Sequence, residues 1–245
     1  MVLSKIQITT ANIRFMEKIA IISIATGKYI SLFDNLQKSI FEKFLPNHEK
    51  TIFLFTDSDY CQYNNIKISK ILHLPWPLNT LLRFHYIDTI IENLKQYDII
   101  YYIDSDIIVH DVIDTEIIPN NLSEIVCSEH YWEFKCLHPY ENNKNSTAYV
   151  DINDIKFNPQ YCQACFFGSY KDTFLEMTHH LKQNINIDLK NNTISKWHDE
   201  SHFNKYILDK PKKILKNSYT HPVSIPLNEN KNGVKLIHGN VHCSL

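Results

Sequence analysis

Asp104 and Asp106 flank a single serine, Ser105, at the end of an apolar stretch running from Asp98 to Ile103. The stretch is short and rich in β-branched and aromatic residues, which predicts a buried strand. An Asp-x-Asp there sits where the strand leaves the sheet, the edge at which open α/β sheets bind ligands. Two carboxylates cannot stay buried unpaired. A divalent cation carrying a diphosphate would satisfy them. The first expectation is therefore metal-dependent chemistry on a nucleotide-linked sugar. An acidic strand-to-loop junction without a ligand is the plain alternative, since Asp-x-Asp is common by chance.

A second dense cluster follows at Trp197-His198-Asp199-Glu200-Ser201-His202. Three readings compete for it. Asp199 as a cap and Glu200 in the first turn would favour a helix start. His198 and His202, at i and i+4, can bind zinc, although the H-E-x-x-H pattern is not matched. A tryptophan that stacks on a pyranose, with carboxylates for hydroxyls and for an oxocarbenium ion, would make a sugar site. Cys162-Gln163-Ala164-Cys165 is formally C-x-x-C, but no second pair at zinc spacing exists in the chain. Gln163, inside an apolar run, is a buried amide in need of partners. It reads as a ligand-facing residue.

The elements that must position these clusters alternate in the amino-terminal half. Lys18–Ala25 and Lys50–Thr56 read as buried strands, and Ile66–His73 as a third. Tyr29–Phe44 carries Ile30, Phe33, Leu36, Ile40 and Phe44 at helical spacing and ends before Pro46. Pro75 and Pro77 break the chain, and Asn79 is a candidate cap for a helix over about 80–95. This order predicts an α/β fold, a mostly parallel doubly wound sheet with helices on both faces. Further strands are expected at 124–128 and 161–169, and helices at 170–182 and 199–208. Residues 6–15 suggest a short strand or arm, 140–147 a polar loop, and 217–245 a loop-like tail. We expect one domain over 1–245, with a nucleotide-binding half at about 18–106 and an acceptor and catalytic half at about 107–245.

Composition narrows the classes. The 245 residues are 44% hydrophobic and 21% charged, with a net charge of −2, as in a globular protein without a nucleic-acid footprint. No window approaches the roughly 18 apolar residues that span a bilayer. The opening residues lack a signal-peptide core, so a cytoplasmic location and free thiols are expected. Four widely separated glycines cannot build a phosphate loop or a dinucleotide fingerprint. A diphosphate must then be held another way, and a cation on Asp104 and Asp106 is the available route.

Taken together, the two acidic clusters and their flanks resemble glycosyltransferase family 6, the family of the histo-blood-group A and B transferases and the α-1,3-galactosyltransferase. The resemblance covers about 18–215 and is carried by WHDESHFNKYILDKPKKIL (197–215), YCQACFFGS (161–169), YYIDSDIIVHD (101–111) and FLPNHEKTIFLFTD (44–57). Leu137-His138-Pro139 and Arg83 fall in step with it. It implies a GT-A type fold and a retaining transfer, α-1,3, from a UDP-sugar donor to a galactose-terminated acceptor. It implies that Asp104 and Asp106 serve the metal, Mn2+ or Mg2+, and the diphosphate, with Ser105 between them at the donor. Ile24, Thr26 and Tyr29 fall where the family grips uracil and ribose, and Arg83 where it touches the donor sugar and the first aspartate. Gln163, Ala164 and Cys165 occupy the positions that select the donor's C2 substituent. Asp199 matches a carboxylate on donor hydroxyls, Glu200 the catalytic carboxylate, and His138, Trp197 and Glu200 acceptor contacts. Cys165 and Gln163 are larger than a glycine at the selecting positions, which favours UDP-galactose, with UDP-N-acetylgalactosamine as the alternative. The animal members' anchor and stem have no counterpart here, which looks like a soluble microbial or viral member. The family's basic carboxyl-terminal contacts have no clear match, and Lys231, Lys235, His238 and His242 are candidates. An inactive carbohydrate-binding protein on the same scaffold, and a zinc hydrolase using His198 and His202, are the readings from other classes.

Overall fold

Side chains alternate along Ile19–Ile24 (β1): Ile19 and Ile21 join one apolar cluster, Ala20 and Ile22 another. The same split runs through Ile99–Ile103 (β4), where Tyr101 faces one way and Tyr102 the other. Strands buried on both faces need helices on both faces. On the first face lies Ile30–Lys43 (α1), which sends in Phe33, Leu36 and Ile40. On the second lie Arg83–Asp88 (α3), Lys171–Lys190 (α5) and His198–Ile207 (α6). The computed structural model describes residues 16–59, 65–131, 139–151, 153 and 160–239. The expected arm at 6–15 lies outside them.

Seven strands form the main sheet, completed by Lys50–Thr56 (β2), Ile66–Lys70 (β3), Ile125–Glu129 (β6), Cys162–Tyr170 (β7) and Lys212–Leu215 (β8). Their order is β3-β2-β1-β4-β7-β6-β8. The sheet is mostly parallel, as expected, but β7 runs antiparallel to both β4 and β6. This reversal carries the first half of β7 past the end of β4, pairing Ile103 with Phe166. Gly168 faces Tyr101 so closely that a Cβ would sit 2.2 Å from its ring.

Four expectations are corrected. The helix foreseen over 80–95 is three pieces, Leu78–Leu81 (α2), α3 and Ile91–Leu94 (α4), because Leu82 and Ile90 leave helical geometry. Asn79 does not cap from outside. It lies within α2, and its amide bonds Leu74 and Thr26. The helix foreseen over 170–182 continues to Lys190, with Ile185 and Asp188 still buried. The tail is not all loop: Ile108–Val109 (β5), His221–Pro222 (β9) and Leu236–His238 (β10) form a small second sheet in the order β5-β10-β9. That sheet returns residues 236–239 to the Asp-x-Asp loop. Among the described residues, no helix is long and apolar enough to cross a membrane.

Candidate active site

At the carboxyl end of β4, Asp104 donates its backbone N–H to the carbonyl of Cys165 on β7 (3.0 Å). Its Oδ1 accepts the Tyr102 hydroxyl at 2.7 Å. Arg83, at the start of α3 and 3% exposed, places Nη2 3.3 Å from the same oxygen. Its Nη1 lies 3.2 Å from Asp199 Oδ2 on α6 and also bonds the Ala164 carbonyl on β7. The guanidinium lies over the Tyr102 ring at 4.0 Å. One arginine thus ties together the ends of β4, β7 and α6. Arginine suits this position, because its planar fork holds charge when buried and serves several acceptors at once.

These side chains line a cavity of about 290 Å³ bounded by Trp76, Thr80, Arg83, Asp104, Gln163, Ala164, Cys165, Trp197, His198, Asp199 and Glu200. The turn into α6 aims the last two. His198 has φ +51, a left-handed conformation uncommon for a residue with a Cβ and often found at functional sites. Beyond it, Asp199 and Glu200 occupy the first helical turn. Asn204 fixes the helix against β7, giving Nδ2 to the carbonyls of Cys162 (2.8 Å) and Glu200 (2.9 Å) and accepting the Cys162 N–H (2.8 Å).

The carboxyls are crowded. Burial first, then Asp104, raises Asp106 to about 7, while the backbone N–H of Gly239 is among the bonds holding it down. Burial raises Asp199 to about 6 against the pull of Arg83. Glu200 accepts the Ala164 N–H at 2.9 Å, and the Tyr161 hydroxyl also favours its charged form. Burial still lifts it to about 7, with Asp199 adding to the rise. Burial first, then the charges of Asp106 and Asp104, also raise the Tyr29 hydroxyl.

The sequence-predicted residues therefore divide. Arg83, Asp104, Gln163, Ala164, Cys165, Trp197, Asp199 and Glu200 share the cavity wall. Ser105 is buried between the two aspartates, at 3% exposure. Ile24 and Thr26 lie at the end of β1, in a neighbouring cradle where Thr26 Oγ1 lies 3.0 Å from both His73 Nδ1 and Asn79 Nδ2. His138 and His242 fall outside the described residues. Lys235 turns away to Asp111 (2.9 Å) and the Val112 carbonyl, and Lys231 is exposed.

Two alternatives lose their geometry. His202 is buried and faces Asp188 at 3.5 Å, whereas His198 packs edge-on against Trp76 at 4.7 Å. The i, i+4 histidines do not converge on a metal. Cys162 meets Cys127 (3.0 Å) within one cluster, while Cys165 belongs to the other. Among the described residues no group of three or more His, Cys, Asp or Glu is placed to hold a metal by itself.

Sequence reasoning missed Trp76, Thr80, Tyr161, Asn204, His73 and the bond from Gln163 to His238. Pro75-Trp76-Pro77 carries a readable signal, an aromatic set between two residues that exclude regular structure. The others depend on contacts between distant segments.

The family model for glycosyltransferase family 6 matches residues 7–240. The O-antigen biosynthesis glycosyltransferase WbnI of Escherichia coli is 31% identical over 208 residues, 83% of this chain and 88% of that protein. Human alpha-1,3-galactosyltransferase 2 is 32% identical over 101 residues, covering 40% of this chain and 29% of its own length. The rat histo-blood group ABO system transferase 1 is 27% identical over 209 residues, 80% of this chain and 58% of that protein.

Proposed function

The chain belongs to glycosyltransferase family 6, and from that premise we propose that it is a retaining α-1,3-glycosyltransferase moving galactose from UDP-galactose to a terminal β-galactoside. In this reading the mixed sheet is of GT-A type, with the nucleotide over the end of β1 and the diphosphate at the end of β4. The supporting observation is the Arg83 bridge, which joins Asp104, the diphosphate pole, to Asp199 beside Glu200, the sugar pole. Donor cleavage needs both poles at one bond.

The residues fit a divalent cation. Asp106 and Asp104 offer only oxygen, the ligand type of Mg2+ and Mn2+. Their mutual repulsion, part of what lifts Asp106 to about 7, is what a dication relieves. Bound there, the ion would supply a Lewis acid for the leaving diphosphate.

The chain's own groups do the remainder. Glu200, held toward its charged form by the Ala164 N–H and the Tyr161 hydroxyl, stabilises positive charge as the anomeric bond breaks. Asp199, fixed by Arg83, takes donor hydroxyls. Trp197, 43% exposed at the cavity wall, offers an apolar face to the acceptor galactoside. Thr26 and Tyr29 take the nucleoside. The O-antigen role of the E. coli relative extends here as an acceptor class, a galactose-terminated surface glycan. UDP-N-acetylgalactosamine is the second donor, because a size difference such as that between Cys165 and glycine in the cavity wall supports only modest discrimination.

The test is UDP release by purified protein from either donor, with lactose or a 2′-fucosyl-galactoside, in manganese or in EDTA. Manganese-dependent release is expected. Release unaffected by EDTA would remove the metal from this reading, and no release with either donor would remove the transfer itself.

A further inference from the structure

Gln163 and His238 lie 75 positions apart, yet the Gln163 amide nitrogen is 2.6 Å from the His238 ring Nε2. The amide donates and the ring accepts. Gln163 lines the cavity. Its other amide atom, Oε1, is buried and has no partner among the described residues. Folds seldom bury an amide oxygen unpaired, so this one needs an account.

His238 is held firmly. Its carbonyl accepts the Val223 N–H at 2.8 Å, its backbone registers with Pro222, and the preceding Ile237 pairs with both Ile108 and His221. Burial pushes the imidazole below its ordinary value, which keeps the ring neutral with one nitrogen able to accept. The backbone N–H of the next residue, Gly239, is among the groups that hold the Asp106 carboxyl down. The last residue of β10 and the one after it therefore reach the cavity wall and the neighbourhood of the Asp-x-Asp. A ring donating at Nε2 would turn the amide over and present its NH2 instead. The histidine thus decides which end of the amide stays free.

We propose that His238 is a positioning residue for donor selection: its hydrogen bond fixes the Gln163 amide so that the carbonyl oxygen is kept for a hydroxyl or amide N–H of the donor sugar. This rests on the UDP-sugar reading above and adds which chemical group of the donor β7 recognises. A site that pairs a substrate hydroxyl rejects the analogue lacking it strongly.

The test compares wild type, His238→Leu, His238→Gln, Gln163→Leu and the Leu/Leu double variant on UDP-galactose and its monodeoxy analogues. Wild type should reject one analogue by about 100-fold or more in kcat/KM. His238→Leu should erode that ratio about tenfold, the scale of one hydrogen bond. His238→Gln, which keeps an acceptor, should preserve the ratio. Gln163→Leu, which removes the contact itself, should erode it at least as far, and the double variant should add nothing beyond Gln163→Leu. Should His238→Leu fail to fold, Gln163→Leu and His238→Gln still decide the matter. An unchanged ratio in Gln163→Leu or His238→Leu, or an additive double variant, would overturn the inference. An active wild type blind to every deoxy analogue would overturn it while leaving the transfer reading intact. A wild type inactive on every UDP-sugar would remove both.

Discussion

Replacing Arg83 with methionine removes the one guanidinium that Asp104, Asp199 and the Ala164 carbonyl share. Asp199 is 3% exposed, so its charge is left buried. Breaking a buried pair from one side costs about 3–5 kcal/mol. The size depends on pH, and the sign can be worked out. Arg83 pulls the Asp199 carboxyl down, yet burial already holds it at about 6, above its ordinary 3.8. Without Arg83 the folded value rises further. A carboxyl raised on folding loses stability as pH climbs from its unfolded value to its folded one. In the wild type that loss ends near pH 6; in Arg83→Met it continues upward. The gap between the two proteins should therefore widen above pH 6, by at most about 1.4 kcal/mol per pH unit for this group. Urea titrations at pH 5.5 and pH 8 read it directly. Asp199→Asn should act as a partial suppressor, since it removes the stranded charge. A destabilisation below about 1 kcal/mol at pH 8, or one equal at both pH values, would refute the bridging role.

Three further outcomes are expected. Glu200, raised to about 7 and needed as a carboxylate, should give kcat/KM an acidic limb near pH 7, falling about tenfold per unit below it. Tyr161→Phe removes a hydroxyl that favours the charged form and should move the limb upward; a flat profile between pH 5.5 and 8 would contradict the assignment. Cys165→Gly opens space in the cavity wall and should raise use of UDP-N-acetylgalactosamine over UDP-galactose by about 10-fold or more, a pocket effect of limited size; competition between the donors measures it, and an unchanged ratio counts against this selecting position. Manganese and UDP should bind with positive coupling, each tightening the other by the same factor; calorimetry in both orders checks this, and independent binding would separate the diphosphate from Asp104 and Asp106.

Much of the scaffold was legible because burial imposes period. Ile19–Ile24, Lys50–Thr56 and Ile99–Ile103 lie where apolar, β-branched runs placed them, and α1 follows its spacing of Phe33, Leu36 and Ile40. Strand direction was not legible, since an apolar run reads alike in either sense. β7 therefore gave no notice of running antiparallel between β4 and β6. The helix over 80–95 failed for a related reason. The buried Leu81, Phe84, Ile87 and Leu94 keep a helical spacing straight across the turns at Leu82 and Ile90, so the sequence carries no mark of the breaks. In the site, acids announced themselves by clustering, while their partners did not. Tyr102 looks like a core aromatic until its hydroxyl is found on Asp104, and Tyr161 does so until its effect on the Glu200 carboxyl is seen.

Charge organises the site more than any single contact does. Four carboxyls, Asp104, Asp106, Asp199 and Glu200, gather around Arg83, the one Lys or Arg among the cavity-lining residues. Three of the four are raised to about 6 or 7, so the protein alone cannot hold them all ionised at neutral pH without cost. A diphosphate entering such a place meets like charge. It can bind well only if positive charge comes with it, because the single guanidinium of Arg83 is already shared between Asp104 and Asp199. The same excess serves the other pole, where positive charge must appear on the sugar as the donor bond breaks. An acidic pocket that repels the intact donor and favours its cationic fragment is poorly built for storing a sugar nucleotide and well built for splitting one. That asymmetry favours an enzyme over a binding protein on the same scaffold.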